Sequence, residues 1–316
     1  MKICLISYDF WHYDQYIVQA LKRKRVDAHH IRITSWRYPN LKARVKNTTS
    51  KVFLGKNLKN TWRQNEIISQ LENLGPQDQI LVINPESISP EFHQKIKKFT
   101  KKYIAYLYDA LARNPAEHVL PFFDEIFSFD QKDAAEHGFQ HIQNYIYLPR
   151  EKPANQAEIG LTYLGSFDER MAKLYTIADQ MHKIEKTYAF YIVGKQGWKK
   201  TFENDQAFTF LRKKIPLESL PDYYRKAAAI LDLVRENQTG LSFRIFEAMA
   251  LGKKIVTTNP NIRTYEFYHP ANILVLDENM ENLTSDFFEK PMAEIPDEIY
   301  QKFTIEHWVD KVFNLK

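Results

Sequence analysis

The sequence predicts an α/β protein made of two parallel sheets, and three observations carry that expectation. Apolar runs of strand length alternate with longer amphipathic stretches, the pattern of stacked βαβ units. The series runs once before and once after a polar, proline-containing stretch, PREKPANQAE at residues 149–158. The length, 316 residues, suits two hydrophobic cores better than one.

In the first half, strands are expected at 2–7, 30–33, 79–83, 103–108, 125–129 and 144–147, with amphipathic helices such as 16–25 and 62–74 between them. After the polar stretch, strands are expected at 160–164, 189–193, 229–233, 254–257 and 273–276. The boundary is therefore placed near residue 150, giving domains 1–150 and 151–316, with the last helix packing back on the first domain. No short repeat, low-complexity tract or Gly/Ser-rich tether appears. Two open Rossmann-like sheets joined by a short linker are expected to turn their strand ends, where ligands bind, toward a common cleft.

Hydrophobic residues at 44% and aromatics at 14% supply apolar material for two cores, and exclude disordered, collagen-like and coiled-coil classes. No window approaches the roughly 18 apolar residues of a membrane span, and the opening MKICLISYDFWHYD reads as a strand, not as a signal peptide. The single cysteine, Cys4, excludes a disulfide framework or thiolate metal cluster. A cytoplasmic protein is expected, peripheral on the inner face of the plasma membrane if its basic half meets anionic lipid. Residues 1–149 carry 21 basic against 15 acidic side chains, and the remainder 23 against 24. The basic stretches are LKRKR at 21–25, the segment 42–63 with Phe53, Leu54, Leu58 and Trp62 interleaved, and KIKKFTKK at 95–102. They fit an anionic surface and equally fit solvated helix faces.

The second half carries the denser chemistry. LGSFDERM at 164–171 reads as a Gly-Ser turn into a helix, where backbone amides hold phosphate, with Arg170 one turn inside; an ordinary tight turn capped by Asp168 fits the same residues. YIVGKQG at 191–197 sets Gly194 and Lys195 at a second strand tip. IPLESLPDYYRKAAAILDL at 215–233 reads as a short strand, a proline turn, a helix and a buried strand. There Ile215 and Leu217 offer backbone groups to a base or ribose, while Tyr223 and Tyr224 pack the helix. In RENQTGLSFRIFEAMALGKKIVTTN at 235–259, a loop with Gly240 precedes a helix starting near Leu241 or Ser242, and Arg244 and Glu247 share one face near its start. A helix N-terminus attracts a diphosphate, a guanidinium forks onto its oxygens, and a carboxylate one turn on accepts both ribose hydroxyls.

In this order, YLGSFDERM, FYIVGK, IPLESLPDYYRKAAAILDL and GLSFRIFEAMALGKKIVTT resemble the nucleotide-sugar half of GT-B glycosyltransferases, particularly bacterial enzymes of capsular polysaccharide, lipopolysaccharide and exopolysaccharide synthesis. The likeness covers about residues 160–278 and extends more loosely over 106–138. It implies a hexosyltransferase-like enzyme that takes a nucleotide-sugar donor and a glycan or lipid-linked acceptor. By resemblance Glu247 matches the ribose-binding glutamate, and Arg244 a position from which a basic residue reaches the diphosphate. The donor-binding set is Gly165, Ser166, Arg170, Gly194, Lys195, Ile215, Leu217, Thr239, Gly240, Ser242, Arg244 and Glu247. The resemblance implies no metal and no other cofactor, because such enzymes generally hold the leaving diphosphate with basic groups and helix dipoles. Retention is slightly favoured, yet eight positions before Glu247 stands Thr239 where the common retaining pattern has a second glutamate, with Glu236 as the substitute from a longer loop. The Gly-Gly loop often found after the first strand is replaced here by SYDFWHYDQ at 7–15.

In the first domain, Asp9, His12 and Asp14 follow the first strand, and Asp109 and Arg113 follow the strand ending YLYDA. Asp9, His12 and Asp109 are the catalytic candidates by location, since an inverting enzyme needs a carboxylate or imidazole near the acceptor hydroxyl. Asp109 also fits the cap of a following helix, and His12 a surface loop. His29-His30 is too short a constellation for a metal site, and no Ser/His/Asp elbow, HExxH or P-loop is present. Two alternatives stand beside the transferase: an epimerase or other transferase of the same fold, and a non-catalytic membrane- or nucleic-acid-binding module. The absence of an RNP1-like aromatic motif argues against nucleic acid as a partner.

Overall fold

The computed structural model describes residues 1–9, 11–33, 47–48, 58–153, 157–194 and 208–315. Two compact units result, one of Met1–Ile142 with Val309–Lys316 and one of Gln143–Trp308.

Unit 1 holds strands β1 (Lys2–Ser7), β2 (Asp27–Arg32), β3 (Gln77–Ile83), β4 (Thr100–Leu107), β5 (Glu125–Ser128) and β6 (Gln140–His141). All are parallel in the order β2-β1-β3-β4-β5-β6, so the direction of winding reverses between β1 and β3. Five consecutive residues of β1 are buried, as a strand covered by helices on both faces requires. Helix α1 (Asp14–Arg23) follows β1, with Ile17, Val18, Ala20 and Leu21 buried, an acidic residue in its first turn and Lys22 and Arg23 in its last, matching the helix dipole. Helices α2 (Leu58–Leu74), α3 (Pro90–Lys97) and α4 (Gln131–His137) complete the unit. Asp130 caps α4 through the amides of Lys132 and Asp133, and Gly138 ends it at φ 71°. The C-terminal segment is tied in by Gln79 Nε2 donating to Phe313 O (2.9 Å) and by the Lys24–Asp310 ion pair (2.8 Å).

Unit 2 holds β7 (Ile159–Ser166), β8 (Tyr188–Val193), β9 (Phe208–Leu211), β10 (Ala227–Asp232), β11 (Lys254–Thr257) and β12 (Ile273–Val275). Their order is β9-β8-β7-β10-β11-β12, again all parallel. Counted within the unit this is 3-2-1-4-5-6, the dinucleotide-fold order, whose ligand crevice lies where β7 and β10 part. Helix α5 (Met171–Lys183) follows β7, α6 (Leu220–Arg225) precedes β10, and α7 (Phe243–Ala250) joins β10 to β11; α8 (Ser285–Glu289) and α9 (Asp297–Gln301) follow, and the last helix, α10 (Ile305–Phe313), belongs to unit 2 up to Trp308 and to unit 1 from Val309. Leu161, Tyr163, Leu174, Ile177, Phe190 and Leu231 lie in its core.

Several sequence expectations are corrected. Residues 144–147 form no strand: Ile146 makes only an isolated bridge to Thr304, while Tyr145 packs edge-on against Phe243 (5.1 Å) and Trp308 (5.3 Å). The two units divide at 142/143. β6 and β9 were not anticipated, and no strand forms at Ile215, where one was expected. Gly165 and Ser166 are not a turn but the last residues of β7, and the turn runs from Phe167 to Arg170.

Candidate functional site in unit 2

The C-terminal ends of β7 and β10 meet the N-terminus of α7. Ser242 is the N-cap residue of α7, but its hydroxyl donates to Asp232 Oδ1 (2.6 Å) and makes no side-chain cap. Asp232, at the tip of β10, also accepts from Thr257 (3.1 Å) and faces Arg244 Nη1 at 3.6 Å. Arg244 reaches over the end of β7, donating from Nε (3.0 Å) and Nη2 to the Leu164 carbonyl, with its guanidinium over the Tyr163 ring at 5.3 Å. Burial works against its charge, and Tyr163, Tyr224, Asp232 and Glu247 outweigh that, holding its pKa above the ordinary arginine value. One edge of the guanidinium therefore locks α7 to β7, a structural use absent from the sequence expectation.

Glu247 is 1% exposed, and its Oε1 accepts from Tyr147 (2.7 Å). Tyr147 had no assigned role in the sequence, because the partner lies a hundred positions away. The loop before α7 is fixed by Asn259, whose Nδ2 donates to Thr239 O (3.1 Å) and Gly240 O (3.3 Å). Glu236 is exposed in that loop, next to the left-handed Asn237 (φ 58°).

Arg170 lies one residue before α5 instead of a turn inside it, and it is committed to protein groups. Its Nε and Nη2 bind Asp168 Oδ1 (2.9 Å) and Oδ2 (2.7 Å), and Nη1 donates to Leu233 O (3.0 Å). Arg235, missed in the sequence, joins the same carboxylate at 3.1 Å. Asp168 is held below the usual carboxylate range: burial opposes this, and Arg170 with Arg235 overrides it. Gly165 is required by packing, since a Cβ there would stand 2.2 Å from the Tyr163 hydroxyl. Gly194 follows β8 with Phe167 beside it, Ile215 and Leu217 are buried, and Tyr224 is in the interior while Tyr223 packs on Tyr191 at 4.9 Å. Lys195 lies outside the described residues.

In unit 1, Asp9 and His12 are brought together at the end of β1. His12 Nδ1 lies 3.3 Å from Asp9 Oδ2, and Arg32 Nε lies 3.3 Å from the same oxygen. Asp14 sits behind them, accepting from Tyr108 (2.8 Å), and burial pushes its pKa up to about 6 with Asp9 adding to the rise. Ser7 links to His30 at 2.9 Å, and burial pulls that imidazole down to about 4. Asp109 joins a separate group, accepting from Asn114 (3.0 Å) with Arg113 at 3.7 Å; a turn and not a helix follows it, so it caps none. Two of the basic stretches, 21–25 and 95–102, lie toward the opposite edge of the sheet, at the end of α1 and between α3 and β4. Lys24, Lys95, Lys97, Lys101 and Lys102 are each paired with a carboxylate. Of segment 42–63, only residues 47–48 and 58–63 are described. Among the described residues no group of three or more His, Cys, Asp or Glu is placed to hold a metal, and no helix is long and apolar enough to cross a membrane.

Residues 158–286 match the family model of glycosyl transferases group 1. The apo lipopolysaccharide outer core galactosyltransferase WaaB superposes at a TM-score of 0.58 with 11% identity over 99% of each chain. AviGT4, a glycosyltransferase of avilamycin A biosynthesis, does so at 0.59 and 11%, over 99% of this chain and 96% of its own. The UDP-GlcNAc 2-epimerase of Neisseria meningitidis bound to UDP-GlcNAc follows the same fold at 0.54 and 11%, over 99% of each chain. At these identities the likeness is one of fold. No curated protein matches by sequence. The class so defined is a glycosyltransferase of the GT-B fold. The particular domain it carries, in unit 2, is the group 1 glycosyl transferase domain.

Proposed function

We propose that this glycosyltransferase holds a nucleoside-diphosphate sugar in unit 2 and transfers the sugar to a hydroxyl of a glycan or lipid-linked acceptor in bacterial surface polysaccharide synthesis. The observation that carries the reading is the coincidence of the group 1 match with the β7/β10 switch point, where α7 presents Arg244 and Glu247. The α7 amides and Arg244 Nη1 take the diphosphate, and Glu247, steadied by Tyr147, takes the ribose hydroxyls. Gly165, Ser166, Gly194, Thr239 and Gly240 let the backbone approach the donor. Arg170 acts by setting the β7–α5 turn through Asp168.

On the acceptor side, Asp9 accepts the Nδ1 proton of His12 and leaves Nε2 to take the proton of the attacking hydroxyl. The bond from the anomeric carbon to the diphosphate oxygen breaks as the bond to the acceptor oxygen forms. In a retaining reaction the leaving phosphate takes that proton instead, so His12→Asn abolishes turnover only in the inverting case. Asp109 lines the neighbouring strand end. No metal is needed where helix amides and arginine carry the diphosphate charge.

The test is a thermal-shift series with UDP, GDP, CMP and dTDP sugars, beginning with UDP because several fold neighbours are complexes with it. A nucleotide at 100 times its dissociation constant stabilises by about 2.7 kcal/mol. No shift with any nucleotide refutes the donor site. The epimerase alternative, supported by the epimerases among the fold neighbours, requires isomerisation of the donor sugar without acceptor.

A further inference from the structure

We propose that Arg32 is a positioning residue for the Asp9–His12 pair: its guanidinium meets the same carboxylate oxygen as His12, fixing that oxygen and limiting how tightly the pair retains a proton. The inference rests on the transferase reading, in which His12 takes the proton of the acceptor hydroxyl, and it names the group that lets His12 give that proton up again.

Asp9 Oδ2 lies 3.3 Å from His12 Nδ1 and 3.3 Å from Arg32 Nε, so both nitrogens stand in the contact shell of one oxygen. The Asp9 side chain is 1% exposed, and its other oxygen accepts from the Asp14 amide at 3.2 Å. A buried carboxylate braced on both oxygens cannot turn to serve one partner alone. Arg32 is the last residue of β2 and pairs with Ser7, the last of β1, which places it at the strand ends where ligands of open sheets bind.

Arg32 Nε also lies 3.4 Å from His30 Nδ1. A guanidinium only donates, so His30 Nδ1 is the acceptor and the ring proton is on Nε2. Nε2 then donates to Ser7 Oγ (2.9 Å), and the Ser7 hydroxyl donates in turn to Asp14, which also accepts from Tyr108 (2.8 Å). Arg32 thus heads a one-way chain of donors ending on Asp14, and it stands between the two imidazoles. The groups that face the pair are Arg32 and His30 from β2 and Asp14 from α1, with Tyr108 behind Asp14. Burial pulls His30 down to about 4, Asp9 opposing that shift and Arg32 adding to it. His12 is 59% exposed, so its charge is governed by the same two neighbours, Asp9 and Arg32.

In the transfer step the acceptor O–H bond breaks as that oxygen bonds to the anomeric carbon, the diphosphate leaves with the electron pair, and the proton goes to His12 Nε2. It must pass to water before the next turnover. A carboxylate belonging to His12 alone would hold the imidazolium, whereas one shared with a cation that never deprotonates holds it less.

The test follows the His12 ring Cε1–H resonance, assigned by comparison with His12→Asn, through a pH titration of the full-length protein and of Arg32→Gln and Arg32→Lys. The proposal expects Arg32→Gln to move the His12 midpoint up by about half a pH unit or more, since it removes a like charge from beside the ring. Arg32→Lys should stay closer to the parent because it keeps the charge. Asp9→Asn removes the shared anion and should move the midpoint down, which carries the test if Arg32→Gln does not fold. An unmoved midpoint in folded Arg32→Gln, even with lowered stability, overturns the proposal, as does an Asp9→Asn midpoint at or above that of the parent. The thermal shift with UDP separates the two readings. A UDP shift with an unmoved midpoint removes the role of Arg32 and leaves the transferase reading standing, whereas a moved midpoint without response to any nucleotide keeps the coupling and removes the transferase reading.

Discussion

Replacing Asp14 by Asn should stabilise the protein near neutral pH, although the residue is buried and hydrogen-bonded. Burial raises its pKa from 3.8 to about 6, with Asp9 adding to the rise and Ser7, Tyr108 and Arg32 opposing it. The folded state therefore binds this proton more tightly than the unfolded chain does. The resulting stability is fully present below about pH 4 and is lost as pH rises through about 6. A displacement of about two pKa units corresponds to about 3 kcal/mol carried by the folded protein at neutral pH. Asn keeps the acceptor for the Tyr108 hydroxyl (2.8 Å) and cannot ionise. Losing a carboxylate from the first turn of α1 returns about 0.3–1 kcal/mol. The variant should then exceed the parent by about 2 kcal/mol at pH 7 and match or fall slightly below it at pH 4. His30 has the opposite sense: burial lowers its pKa from 6.5 to about 4, against Asp9 and with Arg32, so its contribution is lost as pH falls through that range. It is present in both proteins and cancels in the comparison. Urea unfolding of the pair between pH 4 and 8, followed by circular dichroism, measures the difference. A variant equally destabilised at every pH would refute the reasoning, because the carboxylate would then be contributing as an anion.

Glu247→Ala should weaken nucleotide binding by about 1.5–3 kcal/mol, the range for hydrogen bonds to a charged group, with unfolding unchanged in cooperativity; unaltered affinity by calorimetry in a folded variant removes the ribose role. Gly165→Ala should destabilise by about 1–3 kcal/mol through overpacking, since its methyl would meet the Tyr163 ring carbon at 2.5 Å. Adding Tyr163→Phe should rescue it only in part, and full rescue would show the hydroxyl alone to be the obstacle. Transferase activity should persist in EDTA, and loss restored by manganese or magnesium would show that a cation and not Arg244 with the α7 amides carries the diphosphate charge. Arg23, Lys24 and Arg25 give a surface whose vesicle binding should rise with acidic lipid and fall with salt at about 1 kcal/mol per residue. Binding indifferent to lipid charge would assign these residues to ordinary solvated helix ends.

Much of the fold could be read from apolar periodicity because a parallel strand covered on both faces leaves a continuous buried run. β1 and β11 lie where that pattern puts them, and helix α7 begins beside the expected Ser242. Residues 144–147 carry the same apolar signal, yet Tyr145 spends it on Phe243 and Trp308 instead of a neighbouring strand. Periodicity reports that a residue is buried and is silent on what buries it.

The candidate sites divide along the same line. The sequence by itself determined that Arg244 and Glu247 share the start of one helix and that Asp9 and His12 follow the first strand, since three-residue spacing and strand order are local. Only the tertiary structure decided what those groups touch. Arg244 is fastened to Leu164 O, Glu247 to Tyr147, Arg170 to Asp168 and Leu233 O, and Asp14 is buried beneath Tyr108. Hydrogen bonds and burial depend on neighbours that are 63 to 100 positions apart in most of these pairs. The free energy of a charge is set by those neighbours, so its chemistry became definite only when the chain had folded around it.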